Sequence, residues 1–464
     1  MIAARSMRER TAAVLGLGAS GRSTCRSLAA GGATVWAWDD SAAPRAAAAA
    51  DGIPIVCLDL CNWGRCDRLL LSPGIPLRHP KPHPLVRQAR AARVPVVGDV
   101  ELLVENQPRR TIVGITGTNG KSTTTALVGD LLRGAGLGAQ VGGNIGLPVL
   151  DLLPKPEGDI YVLELSSFQL DLTDHLACHV AVILNISSDH LDRHGGMAGY
   201  VRAKRRILRN QQARDHAIIG VDDEHGRALL GELRREDRRR VVPVSGREPV
   251  DGGVFTVDGR LFDASEGRAR EVADLSAVAA LHGEHNGQNA AAAFAVARAL
   301  GAEVEAARRG LGRFAGLAHR MEVVGEIDGI RFVNDSKATN AEAASRALAS
   351  YRNIYWIAGG RAKPGGIDGL GAALDRVRHA FLIGEAADSF AASLHGRVPA
   401  TISGDLATAL RQATAAARTD RSGEARVVLL TPACASYDQF RNFEARGESF
   451  RELVGQMLDA EAQR

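Results

Sequence analysis

Long apolar runs, cysteines at metal-binding spacing and any large excess of charge are all missing from this chain of 464 residues. No window approaches the ~20 apolar residues that a membrane-crossing helix requires, so membrane insertion is not expected. The stretch before Thr11 lacks the apolar core of a secretory signal, whether translation starts at Met1 or Met7. The cysteines are Cys25, Cys57, Cys61, Cys66, Cys178 and Cys434. Only positions 57, 61 and 66 cluster, and no pair has the two-residue spacing of a zinc knuckle, so reduced thiols in a cytoplasmic protein are expected. A net charge of +4 is small for this length. It suits anionic substrates and predicts no nucleic-acid binding.

Hydrophobic content of 45% beside 24% charge is ordinary for a globular protein, and the length predicts roughly three domains of ~150 residues. Residues 111–125 organise the rest. Ile112, Val113 and Ile115 read as a buried strand, small residues form a turn, and Leu127, Val128, Leu131 and Leu132 have the spacing of an apolar helix face. Strand, glycine turn and helix N-terminus make a phosphate cradle. Backbone N–H groups and the helix dipole point at the anion, Lys121 adds a cation, and Ser122 or Thr123 offers a hydroxyl to magnesium. The glycines fall at Gly114, Gly117 and Gly120, whereas a standard P-loop would place one where Ile115 sits. Lys121-Ser122 directly after the turn still points to a nucleotide-phosphate site rather than a plain surface turn.

The segments on either side alternate strand and helix. A strand over 12–17 runs into Gly16, Gly18 and Gly21, then a helix, then a strand over 33–38 ending at Asp39-Asp40. This spacing matches a dinucleotide fingerprint, although the glycines could equally serve close helix–strand packing. The unit closes at Gly98, with Asp99 expected to cap the next helix. Downstream, a tight turn holds Asn144, a strand over 160–163 ends at Glu164, and the strand over 180–184 leads to Asp189 and His190. Acids and histidines beside a phosphate loop are what magnesium requires, since it takes few protein ligands and keeps waters and phosphate oxygens. The plainer alternatives are a helix cap for Glu164 and a solvated loop for His190. Lys204 lies on a basic helix whose plain reading is a solvent face. Alternation around Asp258-Gly259 predicts a small β insertion. Beyond residue 316, strands ending at 333, 357, 383 and 430 predict another doubly wound sheet.

Four motifs then coincide with one family. Gly114-Ile-Thr-Gly-Thr-Asn-Gly-Lys-Ser-Thr, Glu164-Leu-Ser-Ser-Phe-Gln-Leu, Asp189-His-Leu-Asp-Arg and Asn334-Asp-Ser-Lys-Ala-Thr-Asn resemble the Mur ligases of peptidoglycan synthesis. Gly142-Gly-Asn-Ile-Gly, Ser72-Pro-Gly-Ile and the stretch 436–447 extend the resemblance to all three domains. It implies an α/β fold with an N-terminal Rossmann-like UDP-binding domain over 1–98. A central P-loop ATPase-like domain with a small β insertion would span 99–316, and a C-terminal Rossmann-like doubly wound sheet 317–464.

The implied reaction phosphorylates the carboxylate of UDP-MurNAc-L-Ala with ATP and lets the amine of D-glutamate attack the acyl phosphate. The alternatives are an L-glutamate-adding Mur ligase and a folylpolyglutamate synthase-like ligase. By motif position, Gly117, Thr118, Asn119, Gly120, Lys121, Ser122 and Thr123 would hold the ATP phosphates. Asn286, Asn289, Arg320 and Asp335 would contact the nucleotide, with His319 beside Arg320. Ser122, Glu164, His190 and a carbamylated Lys204 would hold two magnesium ions, and Asn144 would contact the acyl phosphate. Gly18, Ala19, Ser20, Asp39, Asp40, Ser72 and Gly74 would surround the UDP group, with Ser41 where an arginine can occur. Lys337, Thr339, Lys363, Ser436 and Phe443 would form the glutamate pocket. Tyr437 there replaces a common leucine, and Arg361-Ala362 precedes Lys363 where Asp-Gly is usual. A cytoplasmic monomer acting on small molecules is expected.

Overall fold

The structure, a computed structural model, describes residues 1–108, 110–154, 158–363 and 365–462. Its strands form three sheets among these residues. The first contains β1 (Thr11–Leu15), β2 (Thr34–Trp38), β3 (Arg68–Leu71) and β4 (Val96–Val97), in the order β2-β1-β3-β4 and parallel throughout. Parallel strands need crossovers. Here the helix Ala19–Gly31 links β1 to β2, and its Gly21 packs so closely that a Cβ would collide with the Gly16 carbonyl.

The central sheet holds β5 (Thr111–Thr116), β6 (Ala139–Gly143), β7 (Ile160–Glu164), β8 (Val180–Ile183), β9 (His216–Gly220) and β10 (Arg240–Ser245). It continues with β11 (Val254–Val257), β12 (Arg260–Asp263) and β13 (Arg270–Asp274), in the order β13-β12-β11-β10-β9-β8-β5-β7-β6. From β11 to β6 the neighbours are parallel, and near-continuous burial of β5, β7 and β8 matches their apolar runs. The expected β insertion is present as an extension of this sheet. Asp258 and Gly259 both have positive φ between paired Val257 and Arg260, the backbone of a type I′ hairpin turn.

The strand β5 lies between β8 and β7, so the chain leaves it towards one side and later returns on the other. Such a switch point opens a crevice beyond the carboxyl ends of the strands. One apolar cluster joins Val14 and Leu70 of the first sheet to Leu102, Leu150, Leu163 and Ile183, which binds the first two sheets into one compact unit. Truncating such a fully buried leucine to alanine typically costs about 2–5 kcal/mol.

The chain divides into two compact units, 1–274 with 287–312, and 275–286 with 313–464. The second unit carries the third sheet. It comprises β14 (Glu322–Ile327), β15 (Ile330–Asn334), β16 (Ile354–Gly359), β17 (Val377–Ile383), β18 (Ala400–Gly404) and β19 (Arg426–Leu430). The order is β14-β15-β19-β16-β17-β18, parallel except for the β14–β15 hairpin. No helix among the described residues is long and apolar enough to cross a membrane.

Candidate active site

At the end of β5 the chain turns through Gly117, Thr118 and Asn119 to Gly120, which precedes the helix Lys121–Gly134. Gly120 has φ 82° and faces Asn289, so a side chain there would be both strained and in collision. The first helical turn carries no acid, leaving Lys121 and the backbone N–H groups to attract an anion. Lys121 Nζ donates to the carbonyls of Gly117 (3.0 Å) and Thr118 (2.8 Å), which keeps the ammonium over the loop. The loop is braced from outside. Asn119 N–H donates to Asn185 Oδ1 at 2.9 Å, and Thr124 Oγ1 donates to Asn289 Oδ1 at 3.2 Å. Ser122 is buried beside Lys121, and Thr123 follows it on the same first turn.

Glu164 ends β7 opposite Ile115 of β5 and Gly143 of β6, at the switch point. It caps no helix. Ser166 does that for Ser167–Asp171, in a reciprocal capping box with Gln169. Asn144 Nδ2 donates to Glu164 Oε1 at 2.7 Å. Oε2 is buried with no hydrogen-bond partner among the described residues, as is the Thr116 hydroxyl at the end of β5. A buried carboxylate oxygen left in this state is costly unless something cationic completes it. No group of three His, Cys, Asp or Glu side chains arranged to hold a metal ion occurs among the described residues. The donor set therefore suits magnesium, with its phosphate and water ligands, rather than a protein-enclosed transition metal.

Lys204, read plainly as a surface lysine, is only 1% exposed. Its Nζ donates to the Gly117 carbonyl at 2.7 Å and lies over the Tyr200 ring. Burial, reinforced by the Lys121 charge and opposed by Asp189, holds its amine well below the ordinary lysine value. Two lysines thus converge on one loop carbonyl. His190 follows Asp189 with φ 50°, half exposed, its ring 4.9 Å from Phe168 and its Nε2 3.4 Å from the Asp189 carboxylate.

In the first sheet, Gly18 precedes the helix that Ala19 and Ser20 begin. Asp39 braces this loop, its Oδ2 accepting from Leu17 N–H and its Oδ1 from Ser41 N–H. Asp40 pairs with His83 at 2.8 Å. Ser72 donates to the Gly16 carbonyl, and Arg193 reaches across to the Gly74 carbonyl. Asp99 is a correction. The residue before its helix is Gly98, and no side chain caps that end. Asp99 is buried instead, and burial pushes its carboxyl up to about 6.

In the second unit, Asp335 accepts from Met321 N–H and Thr431 Oγ1, and burial pushes it up to about 7, opposed in part by Arg320. His319, with φ 62°, meets Asn334 Nδ2 through its Nδ1. Lys337 Nζ lies 3.8 Å over the Phe443 ring. Thr339 N–H donates to the Lys337 carbonyl, and Ser436 is buried at the turn after β19. Lys363 is exposed. Asn286 belongs to this unit and donates to the His282 carbonyl, whereas Asn289 belongs to the first.

Several contributors escape sequence reading. Arg446, 1% exposed, donates to Ser336 and to the Cys434 carbonyl and so holds the lysine-bearing turn. Tyr200, Asn185 and Thr116 line or brace the phosphate loop. Asn185 follows directly on the strand ending at 184, a position where a polar residue is a usable signal. Arg446 carries none, because nothing local distinguishes it from an exposed helix arginine.

A lysine-bearing phosphate loop at a switch point, with a buried carboxylate on the same sheet edge, defines a nucleotide-dependent enzyme. The chain belongs to the Mur ligase family, ATP-dependent enzymes that form amide bonds. Residues 115–297 match the model of the Mur ligase middle domain, and 319–434 that of the Mur ligase, glutamate ligase domain. UDP-N-acetylmuramoylalanine–D-glutamate ligase of Caulobacter vibrioides is 53% identical over 98% of this chain and 97% of its own. The ligase of the same name from Phenylobacterium zucineum is 51% identical over 100% and 99%. Among solved structures, MurF ligase of Thermotoga maritima in complex with ADP shares the fold at a TM-score of 0.57, with 18% identity over 99% of this chain and 98% of that one.

Proposed function

We propose that this chain joins D-glutamate to UDP-MurNAc-L-Ala at the expense of ATP, within cytoplasmic peptidoglycan precursor synthesis and hence in cell-wall growth, cell shape and division. It would act as a monomer. The observation that carries the reading is Glu164 Oε2, a buried carboxylate oxygen without a partner at the sheet edge that also holds Lys121. The names of relatives about half identical over the whole chain supply the substrates.

The chemistry fits the groups present. Transfer of the γ-phosphoryl to the alanine carboxylate gives an acyl phosphate and ADP. The glutamate amine then attacks the carbonyl carbon, an amide forms, and phosphate leaves. Both steps gather negative charge, so fixed donors and cations do more than a covalent nucleophile would. Lys121 and the N–H groups of residues 117–123 hold the phosphates of ATP. Ser122 and Glu164 would hold one magnesium, His190 and a carbamylated Lys204 a second, and magnesium when bound supplies neutralisation of the phosphates. Asn144, tied to Glu164, would offer its amide to the acyl-phosphate oxygens. Gly18, Ala19, Ser20, Asp39, Asp40, Ser72 and Gly74 would seat the UDP group. In the second unit Asn286, Arg320 and Asp335 would serve the nucleotide, and Lys337, Thr339, Lys363, Ser436 and Phe443 the glutamate carboxylates. The three-domain division at 98 and 316 belongs to the same proposal and is supported by the three separate sheets.

Phosphate release from ATP is the test, with magnesium and UDP-MurNAc-L-Ala present and D- or L-glutamate supplied separately. Release with D-glutamate alone is expected. Release with L-glutamate alone would transfer the assignment to the L-adding branch, and none with either would overturn it.

A further inference from the structure

The seam between the first sheet and the central domain, inside the first compact unit, holds two clefts that no step above uses. One, of about 340 Å³, is bordered by Arg78, Arg90, Arg93 and Arg206. The other, of about 200 Å³, is bordered by Arg78, Arg193, Arg202 and Arg206. Both share Leu77, Arg78, Asp171 and Arg206, so they are lobes of one groove. Neither is lined by the phosphate loop, Glu164, Lys204 or the uridine-side residues 18–20 and 39–40, and only Pro73, between Ser72 and Gly74, brings the smaller lobe next to the UDP seat.

Charge in the groove does not balance. Arg206 is committed to Asp174 and to the carbonyls of Leu170 and Thr173. Arg193 is committed to the carbonyls of Pro73 and Gly74 and to the Phe168 ring. Of the acids, Asp171 faces His194 at 3.3 Å, and Asp174 takes both Arg206 and Arg209. Arg78, Arg90, Arg93 and Arg202 remain, with no ion pair or side-chain hydrogen bond among the described residues. They come from three chain segments. All four are exposed at the rim. Partial desolvation first, then the neighbouring Arg78 charge, holds the Arg90 guanidinium below its ordinary value, so Arg78 and Arg90 repel one another. Like charges gathered around a concavity focus an attractive field on anions.

We propose that this groove binds a small anion carrying a diphosphate group, as a site additional to the phosphate loop. Guanidinium forks match phosphoryl oxygens bidentately, and one phosphoryl group engages one or two of them. Filling both lobes therefore takes two linked phosphoryl groups. One lobe lies at the small end of the ~300–1,000 Å³ typical of ligand pockets and the other below it, which suits a small anion.

Calorimetric titration of the full chain with inorganic pyrophosphate tests this, with ADP saturating the phosphate loop, magnesium in excess and salt near 0.15 M. One further site is expected. It should weaken at least tenfold in Arg78→Ala/Arg90→Ala, and also in Arg202→Ala at the opposite lobe, while ATP-driven phosphate release stays unchanged in both variants. UDP and inorganic phosphate form the comparison arms. Loss of the further pyrophosphate site and of a second UDP site in both variants, with no binding of phosphate alone, identifies the diphosphate group as the recognised element, because UDP in its own seat is untouched by these substitutions. Pyrophosphate binding that ADP abolishes, or that survives both variants undiminished, would place it elsewhere and overturn the proposal. Equal response to sulfate at the same ionic strength would reduce the groove to a solvated basic face. Because the assay reads binding, its failure leaves the ligase reading to be judged by phosphate release.

Discussion

Lys204 and Glu164 carry the least ordinary physics of the molecule. A lysine whose charged form is disfavoured by burial is a nucleophile for CO₂ through its neutral amine, with the new N–C bond forming as an amine proton leaves to solvent. Carbamylation would turn the side chain into an oxygen ligand. The parent protein is therefore expected to lose activity when stripped of CO₂ and to regain it with bicarbonate, while Lys204→Ala, which has no amine to carbamylate, stays inactive in both. A lysine that only packs would leave the parent's activity independent of CO₂. Glu164→Gln replaces the partner-free oxygen with an amide. Turnover should fall on the order of a hundredfold or more, the scale of losing one fixed electrostatic group, with thermal stability kept or improved. Asp335 offers a pH test. Its folded value, raised to about 7, exceeds an unfolded value of about 4, so its contribution to stability is complete below about pH 4 and is lost as pH rises through 7. Asparagine at 335 can still accept from Met321 N–H. Relative to Asp335→Asn, the parent protein should lose stability between pH 5 and pH 8 in urea denaturation, and a constant difference would show that Asp335 titrates normally.

The element that matters most is the strand–loop–helix of 111–134. Its residue types require the conformation they adopt, and Gly120 shows why. At φ 82° a Cβ costs about 1–2 kcal/mol through backbone strain alone. In Gly120→Ala the same Cβ meets Asn289, which itself braces Thr124, so the loss should exceed that figure and nucleotide affinity should fall with it. Chemical denaturation and ADP titration of the variant check both. This element was legible in sequence because every signal lies within about fifteen residues. The hairpin at Asp258-Gly259 was legible for the same reason. Asp99 was misread because its residue type suits a helix cap, and packing against the loop at Ser20 and Ser72 buried it instead.

On the scale of the whole molecule, the first two sheets share one apolar cluster and belong to one compact unit, with the third sheet in the other. Heating is expected to depart from a single two-state transition. ADP with magnesium at a hundred times its Kd should stabilise whatever binds it by about 2.7 kcal/mol. Scanning calorimetry should show that shift in the parent protein and lose it in Lys121→Ala. A shift that persists in the variant would remove the loop from the nucleotide site. Strand order, too, was only partly legible. Alternating strands and helices predicted parallel sheets, and β5 between β8 and β7 emerges only when distant strands pair.

Taken alone, the sequence determined the local units: the phosphate loop, the hairpin, the α/β alternation and the chemical identity of groups at strand ends. These depend on backbone sterics and on neighbours a few residues away. Tertiary structure alone decided which of those groups are buried and which charged forms burial disfavours. Lys204 meets Gly117 across 87 positions of sequence, and Arg446 meets Ser336 across 110. The same lysine in water would be an ordinary ammonium. Its altered character comes from the segments packed around it, since the loss of solvent, and not the residue type, sets the cost of carrying charge.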